Sequence, residues 1–447
     1  MVKSGKLRDI KGFSEKTEQE ILDGLMKKDS AKRHLLGEIL PMAERLKERL
    51  SSLKEVDNAF IAGSLARMKE TIGDVDLLCV SKDPGKVMDY FTKLDYVKRV
   101  LAKGTTKSSV VLGNGLQVDL RIVKEDSFGS AVQYFVGSKE HGVAVRQVAI
   151  KKKMKLSEYG LFSEKKKIAG KDEKELYKKL GMQWIPYELR ENRGEIELGL
   201  NNKIPKLVEL KDIKGDLQMH SVYSDGRNTI EEMAIAAKKV GHKYIAITDH
   251  SESLKIAGGV QRKQRLKQMG DIDKLNQKLN GLRILKGIEA EIKKDGSLDT
   301  PNELLKKLDF VIIAIHSGFK MTEKEMTERM MKAMDNPNVH MLAHPTGRLL
   351  LQRDPFNINI PKVLEKAKER NIIVEINAHP HRLDLNEVNA RIAIEMGVKL
   401  AINTDAHSVD GLNAMRYGVG TARRGWCEKK DIFNTFEWKR VERVLMR

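Results

Sequence analysis

Asp74 and Asp76 form a D-x-D pair in the stretch Gly63–Leu78, GSLARMKETIGDVDLL. A strand sends alternate side chains to one face, so the two carboxylates point the same way. Adjacent carboxylates repel unless a cation lies between them. Upstream, Gly63 and Ser64 can offer close backbone approach and a hydroxyl to a phosphate, with Arg67 and Glu70 in the same stretch. A third carboxylate, Asp119, sits in the alternating run GLQVDLRIV. Three carboxylates beside a phosphate cradle are the parts needed to hold two divalent cations for nucleotidyl transfer.

The second half carries a different chemistry. Apolar runs recur there, and many close on a metal-type ligand. DLQMHSVYSDG supplies His220 and Asp225, KYIAITDH supplies Asp249 and His250, and LRILKGIEAEI supplies Glu289. FVIIAIHSG supplies His316, VHMLAHPTG supplies His344, and LAINTDAHS supplies Asp405 and His407. Helical stretches such as Ile230–Val240 and Ile360–Arg370 lie between the runs, and NIIVEINA is a further strand of the same type. Strand–helix alternation predicts a parallel sheet. Ligands at successive strand ends then converge at one mouth of a barrel. Imidazoles and carboxylates together suit Zn²⁺ or Mn²⁺. His379 and His381, in EINAHPHRLDL, follow a strand end and are read as loop residues, the alternative being a supplement to the metal ligands.

The elements that must position these residues set the domain plan. The 447 residues suggest two to three domains, and a hydrophobic content of 40% is enough for buried cores. A formal charge of +19 points to a polyanionic partner, and aromatics at only 5% argue for a grip on the phosphate backbone rather than base stacking. No apolar run approaches a membrane span, and MVKSGKLRDIKG lacks the core of a secretory signal. The two cysteines, Cys79 and Cys427, have no metal or redox spacing. A monomeric cytoplasmic protein with no membrane partner is expected.

Leu7–Leu25 reads as helix, turn, helix, the form of a helix-hairpin-helix whose turn amides meet a DNA phosphate, although the usual second turn glycine is Ser14. Ala31–Leu53 is a long amphipathic helical stretch. The clusters Lys151–Lys153 and Lys165–Lys167 are candidate phosphate contacts. Trp184–Asp212, mostly polar and carrying Pro186 and Pro205, reads as a connection. The expected division is 1–30, a helical hairpin; 31–202, the D-x-D domain; 203–214, a linker; and 215–447, the metal-ligand barrel.

Gly63–Leu78 resembles the palm signature of the family X DNA polymerases, the polymerase beta superfamily. Tyr134, Phe135, Gly137 and Ser138, in YFVGS, resemble that family's thumb motif, whose aromatic pair lies against the incoming sugar and excludes a 2′-hydroxyl. The resemblance makes Asp74, Asp76 and Asp119 the catalytic metal triad for Mg²⁺ or Mn²⁺, with Asp119 activating the primer 3′-hydroxyl. It gives Gly63, Ser64, Arg67, Tyr134, Phe135, Gly137 and Arg146 to the nucleotide and template. Met68 stands where the family usually carries Gly, and Gly142 where many members carry a base-contacting Asn. The family's N-terminal end-binding domain and most of its fingers have no counterpart ahead of this palm.

The second half is similar to the PHP (polymerase and histidinol phosphatase) domain, a distorted β/α barrel with a site for up to three Zn or Mn ions. That resemblance implies ligation by His220, Asp225, His250, Glu289, His316, His344, Asp405 and His407, with Glu289 bridging two ions. The first His of the family's H-x-H is Gln218 here, which leaves one position weakened. Palm, thumb and PHP in this order resemble the PolX architecture. The fold class expected is multi-domain α/β. The implied function is deoxynucleotide addition at gapped DNA, with 3′–5′ exonuclease or 3′-end phosphatase chemistry in the second half. The rivals are a phosphoesterase with a non-polymerising DNA-binding half, a polymerase with a non-hydrolytic PHP module, and a DNA-binding scaffold with both sites dead.

Overall fold

The computed structural model describes residues 33–445; the hairpin expected over Leu7–Leu25 lies outside them. The chain divides into two compact units, residues 1–204 and 205–447.

In the first unit, the helix expected from Ala31 begins only at Leu36. His34–Leu35 is a short strand, β1, paired with β3 (Thr71–Ile72) across the loop that follows β2 (Val56–Ile61). The helix Leu36–Ser51 buries Leu36, Ile39, Leu40, Ala43, Leu46 and Leu50, the three-and-four spacing of a single apolar face. β4 (Asp74–Ser81), β5 (Val97–Lys103), β6 (Lys107–Leu112) and β7 (Gln117–Val123) join β2 in a sheet of order β2-β4-β7-β6-β5. The pairing of β4 with β7 is parallel, and its register sets Asp76 opposite Asp119. Val75 and Val118, pointing the other way, are wholly buried.

The helices Phe128–Val136 and Lys139–Lys151 follow, then an antiparallel sheet of β8 (Met154–Ser157), β9 (Gly160–Ser163) and β10 (Lys166–Ala169). Within Trp184–Asp212, read from its polarity as a connection, residues 184–200 pack into this unit. Arg190 is wholly buried, donates to the Ile185 carbonyl at 2.8 and 2.9 Å, pairs with Glu173 at 2.6 Å and lies over the Tyr187 ring. Glu195 binds buried His141 Nδ1 at 2.6 Å, and Tyr177 meets the other ring nitrogen at 3.2 Å. These polar residues are internal because each has a partner, which polarity along the chain cannot reveal.

The second unit is a parallel sheet of β11 (Gly215–Met219), β12 (Tyr244–Ile247), β13 (Arg283–Glu291), β14 (Phe310–Ala314), β15 (Met341–Leu342), β16 (Ile373–Asn377) and β17 (Leu400–Asn403), in sequence order. Hydrogen bonds from His220 N to the Ala406 carbonyl and from Asp405 N to the Gln218 carbonyl bring the first strand to the last, so the barrel nearly closes. Alternation sorts each strand. Leu217, Tyr244, Leu285, Phe310, Met341, Ile373 and Ala401 pack together in one cluster, with Phe433 of the C-terminal segment. Ile245, Ile284, Ile288, Val311, Leu342, Val374 and Ile402 face the surrounding helices. Continuing the inner set two residues at a time reaches His250, Glu289, His316, Glu375 and Asp405. Apolar residues thus fill the strand beginnings and ligands crown their ends.

Buried His242, at the close of the helix Ile230–Lys239, tests one electrostatic cost of this packing. Neither ring nitrogen has a hydrogen-bond partner, and burial pushes its pKa down to about 4. The unfolded chain would take up that proton near pH 6.5. Folding therefore loses stability as pH falls below about 6.5, by about 3 kcal/mol at pH 4. His242→Gln is expected to flatten the acid limb of melting temperature against pH between 7 and 4. An unchanged slope would show that His242 is protonated in the fold.

Candidate active sites

In the first unit, the three carboxylates gather at one end of β4 and β7. Burial raises Asp76 to about 6, helped by the charges of Asp74 and Asp119; burial and Asp119 also raise Asp74. Burial opposes ionisation of Asp119, but Lys107 at 2.6 Å and the Gln117 amide at 2.9 Å hold it below the usual carboxylate range. Crowded carboxylates that resist joint ionisation are a donor set suited to divalent cations. Gly63 sits at φ +64°, and a Cβ there would lie 2.6 Å from Asp76 Oδ2, so the turn reaches the carboxylates only with glycine. Ser64 follows it, partly exposed.

Arg67 is buried, donating from Nε to Glu191 at 2.6 Å and from Nη1 to the Val136 carbonyl at 2.5 Å. It thereby ties the Gly63 turn to the end of the helix carrying Tyr134 and Phe135. Met68 adopts φ +54°, a conformation that favours glycine, which accounts for the cost of a side chain there. The Tyr134 and Phe135 rings meet edge to face at 4.9 Å, with Arg146 over the first and Arg121 over the second. Gly137 ends that helix, and Ser138 caps the next by accepting from His141 N. Gly142 has room for a side chain, since a Cβ there would meet only Arg146 Nη1, at 3.6 Å. Of the lysine clusters, Lys151–Lys153, Lys165 and Lys166 are exposed, whereas Lys167 pairs with Asp126 at 2.9 Å.

In the second unit, two groups share His250: His220, Asp225, His250 and His407 in one, His250, Glu289 and His316 in the other. Glu289 is the hub. Its oxygens lie 2.9 Å from His344 Nε2, 3.3 Å from His250 Nδ1, 3.4 Å from His316 Nε2 and 3.5 Å from His220 Nε2. Asp405 lies 3.1 Å from His220 Nε2, and Asp225 3.4 Å from His407 Nε2. Burial alone would raise Glu289, but the imidazoles around it hold it well below the usual range. Against burial, Glu289 and Glu291 lift His316 to about 9, while Asp225 and Asp405 lift His407 to about 9. Both ring nitrogens of His220, and Nδ1 of His250 and His344, are buried without a hydrogen-bond partner. Such orphaned imidazoles, interleaved with ionised carboxylates, fit Zn²⁺ or Mn²⁺, which would replace the protons.

Local backbone makes this possible. His344 at φ +24° and Asp405 at φ +53° are strained residues at the strand ends, and the turn lets His344 join the inner set although it follows inward-facing Ala343. A register shift between Asp216 and Met219 likewise lets Gln218 and His220 reach inward. In the S-D-G turn that presents Asp225, a Cβ on Gly226 would come within 2.6 Å of the His220 backbone.

The polymerase beta thumb family matches residues 131–191, and the PHP domain family matches residues 216–379. The chain is 40% identical over 447 residues to the DNA polymerase/3′-5′ exonuclease PolX of Bacillus subtilis (strain 168), covering 99% of this chain and 78% of that protein. The chain belongs to the PolX family. Its second unit is also 34% identical over 203 residues to a probable phosphatase of Thermoanaerobacter sp. (strain X514), and 28% identical over 202 residues to one of Clostridium acetobutylicum, each match covering 43% of this chain and 78% of the relative.

Several residues that position the PolX sites were missed in the sequence. Glu291 accepts from His316 N and Nδ1 and from the Ser317 hydroxyl, so it orients that imidazole. Its signal was present, because it follows Glu289 by two on one strand. Asp249, read in the sequence with the strand-end ligands, instead accepts from Ser221 N and from the Ser221 and Ser224 hydroxyls, fixing the loop before Asp225. Lys107 gave no signal; only the sheet register brings it to Asp119.

Gln218 is wholly buried, with its side-chain amide set between the Glu375 and Asp405 carboxyls. Burial and the Asp405 charge push Glu375 well above the carboxylate range. A neutral amide thus stands between two carboxyls where an imidazole would be the stronger metal ligand. Gln218→His is expected to raise bound metal per chain and to speed hydrolysis, read by elemental analysis and 3′-end digestion. No change in either would show that the third position is idle in this protein.

Proposed function

We propose that the first unit extends a gapped DNA primer with deoxynucleotides and that the second removes 3′-terminal nucleotides. The observation that supports the first activity best is the parallel register that sets Asp76 beside Asp119, with Asp74 on the same face. Asp74, Asp76 and Asp119 would hold Mg²⁺ or Mn²⁺. When bound, the ions supply charge neutralisation at the phosphates and lower the cost of ionising the primer hydroxyl. Asp119, already ionised beside Lys107, takes the hydroxyl proton. The Gly63–Ser64 turn backs the triphosphate, and Tyr134, 39% exposed on its helix, crowds a 2′-hydroxyl. The net charge of +19 holds the DNA through its phosphates, with steep salt dependence.

In the second unit, Glu289 joins the two histidine groups, and Glu291 keeps His316 aimed at it. His220, Asp225, His250, His316, His344, Asp405 and His407 complete a donor set for Mn²⁺ or Zn²⁺, which would activate water and stabilise the leaving oxygen. Substrate, water and leaving nucleotide meet at the open strand ends. Both activities belong to a cytoplasmic DNA-repair enzyme.

The test is one gapped substrate with a labelled primer, incubated with Mg²⁺, Mn²⁺ or Zn²⁺. Extension with nucleotides present and shortening without them are expected. Absence of extension with every ion would overturn the polymerase reading. The probable-phosphatase relatives favour a second reading, release of phosphate from a 3′-phosphorylated primer, which the same assay resolves when that primer is supplied.

A further inference from the structure

The loop Ser251–Val260 follows β12 at the mouth of the PHP barrel, and neither activity above uses it. Its stem is clamped to two of the metal-type ligands. Val260 N donates to the His250 carbonyl at 2.9 Å, and Ser251 N to the Glu289 carbonyl at 3.0 Å. Within the loop, Leu254 N donates to the Ser251 carbonyl, Gly258 N to the Lys255 carbonyl and Gly259 N to the Leu254 carbonyl, each at 3.1 Å. Ser253 donates to Asp299 from its amide at 3.3 Å and from its hydroxyl at 2.6 Å. Gly258 comes so near the neighbouring strand-end loop that a Cβ there would lie 3.1 Å from the Ser224 carbonyl oxygen, one residue before Asp225. These bonds fix the tip of the loop beside the ligands.

Ile256 stands at that tip, in the single turn Lys255–Ala257. It is 97% exposed. It precedes Gly258 by two residues, so about 7 Å of chain at most separates it from the Ser224 contact. A firmly bonded loop that holds an isoleucine wholly in water forgoes the burial an apolar partner would give. Val222, on the loop that leads to Asp225, is a second exposed apolar side chain. The surroundings are basic. Lys255 adjoins Ile256, and Arg262 and Lys263 open the helix Arg262–Lys278, whose first turn carries no acid. All three are exposed. Cations at the positive end of a helix are unfavourable without an anion nearby. An apolar tip amid cations matches the end of a nucleic-acid strand, where the face of a base is apolar and the phosphates behind it are charged. The imidazoles and carboxylates of the centre serve metal and phosphate, and they offer no surface to a base.

We propose that Ile256 packs against the base of the 3′-terminal nucleotide and holds it out of the stack at the mouth of the barrel, with Lys255, Arg262 and Lys263 on the phosphates behind it. This rests on the hydrolytic reading of the PHP centre. Unstacking a base is costly, and an apolar side chain laid on the freed face offsets that cost. Ile256 is a positioning residue here: it sets where the terminal nucleotide lies while the metals act on its phosphate.

The test uses the full-length protein with Mn²⁺ and two single-stranded substrates, one ending in an ordinary nucleotide and one ending in an abasic residue. Ile256→Ser is expected to raise KM for the first substrate by about tenfold, with a smaller effect on kcat. It should leave KM for the abasic end unchanged, because that end has no base to pack. Ile256→Leu should stay near the unmodified protein on both substrates. Bound metal per chain and primer extension should be unchanged in both variants. An unaltered KM for the base-bearing end in Ile256→Ser would overturn the proposal. An equal rise on both substrates, or loss of metal, would also overturn it, because either shows that Ile256 only steadies the loop. If the unmodified protein digests neither substrate, the hydrolytic reading falls. A titration of an oligonucleotide carrying a fluorescent purine at its 3′ end then decides the role of Ile256. A fluorescence change that Ile256→Ser abolishes would sustain that role, and identical titrations would refute it.

Discussion

Asp119→Ala is expected to cut extension of a gapped primer by at least about a thousandfold, the size of effect that follows from losing a metal ligand and a proton acceptor together. About 4 kcal/mol of barrier corresponds to that factor. The fold should survive, because Asp119 lies at the ligand end of β7 while Val118 and Leu120, on the opposite face, keep the sheet packed. Removing the carboxylate also leaves Lys107 without its 2.6 Å partner, so the variant gains positive charge where a cation must bind. Asp119→Asn keeps the shape and loses only the charge, so an equal loss there shows that the charge rather than the side-chain volume is what extension needs. Digestion of 3′ ends is expected to persist in both variants. Robust extension by Asp119→Ala would remove the carboxylate triad from the mechanism.

Glu289→Gln is the matching experiment in the barrel. Glu289 lies within 3.5 Å of four imidazoles, so a neutral amide there removes the anion that both histidine groups share. Bound metal per chain should fall, and 3′-end digestion should drop by roughly a thousandfold or more. Primer extension should stay near the unmodified rate. His316→Ala should reproduce the loss of hydrolysis, and Glu291→Gln a weaker version, because Glu291 orients His316 rather than meeting the metals. Full digestion by Glu289→Gln, at unchanged metal content, would contradict its role as the hub.

Most of the chemistry was legible in the sequence because ligand types were paired with period-two strands. Asp74 and Asp76 read as one face before any sheet was known, and the strand-end pattern from His220 to His407 read as one mouth. What stayed hidden depends on contacts distant in the chain. Lys107 meets Asp119 only through the pairing of β6 with β7. Arg67 resembles a phosphate-gripping residue in its motif, yet its place beside Glu191 depends on a residue 124 positions away. The segment from Trp184 to Leu200 looks like a linker by composition, because buried Arg190 and Glu195 are polar residues whose partners come from elsewhere. Gln218 was visible as a departure, but its place beside Glu375 was not, since nothing in NIIVEINA marks that acid as wholly buried.

The layering of the barrel also bears on how such an enzyme can change over generations. Residues that make the strands cohere, such as Leu285, Phe310 and Ile373, occupy one level, and those that do chemistry occupy another. Substitutions at the upper level are therefore expected to change the donor set with less effect on strand packing than substitutions at the lower one. A lineage can drift through weakened, idle or repurposed centres while remaining intact, and a lost activity can return by a few point changes. The same separation means that chelators should inactivate the barrel without melting it.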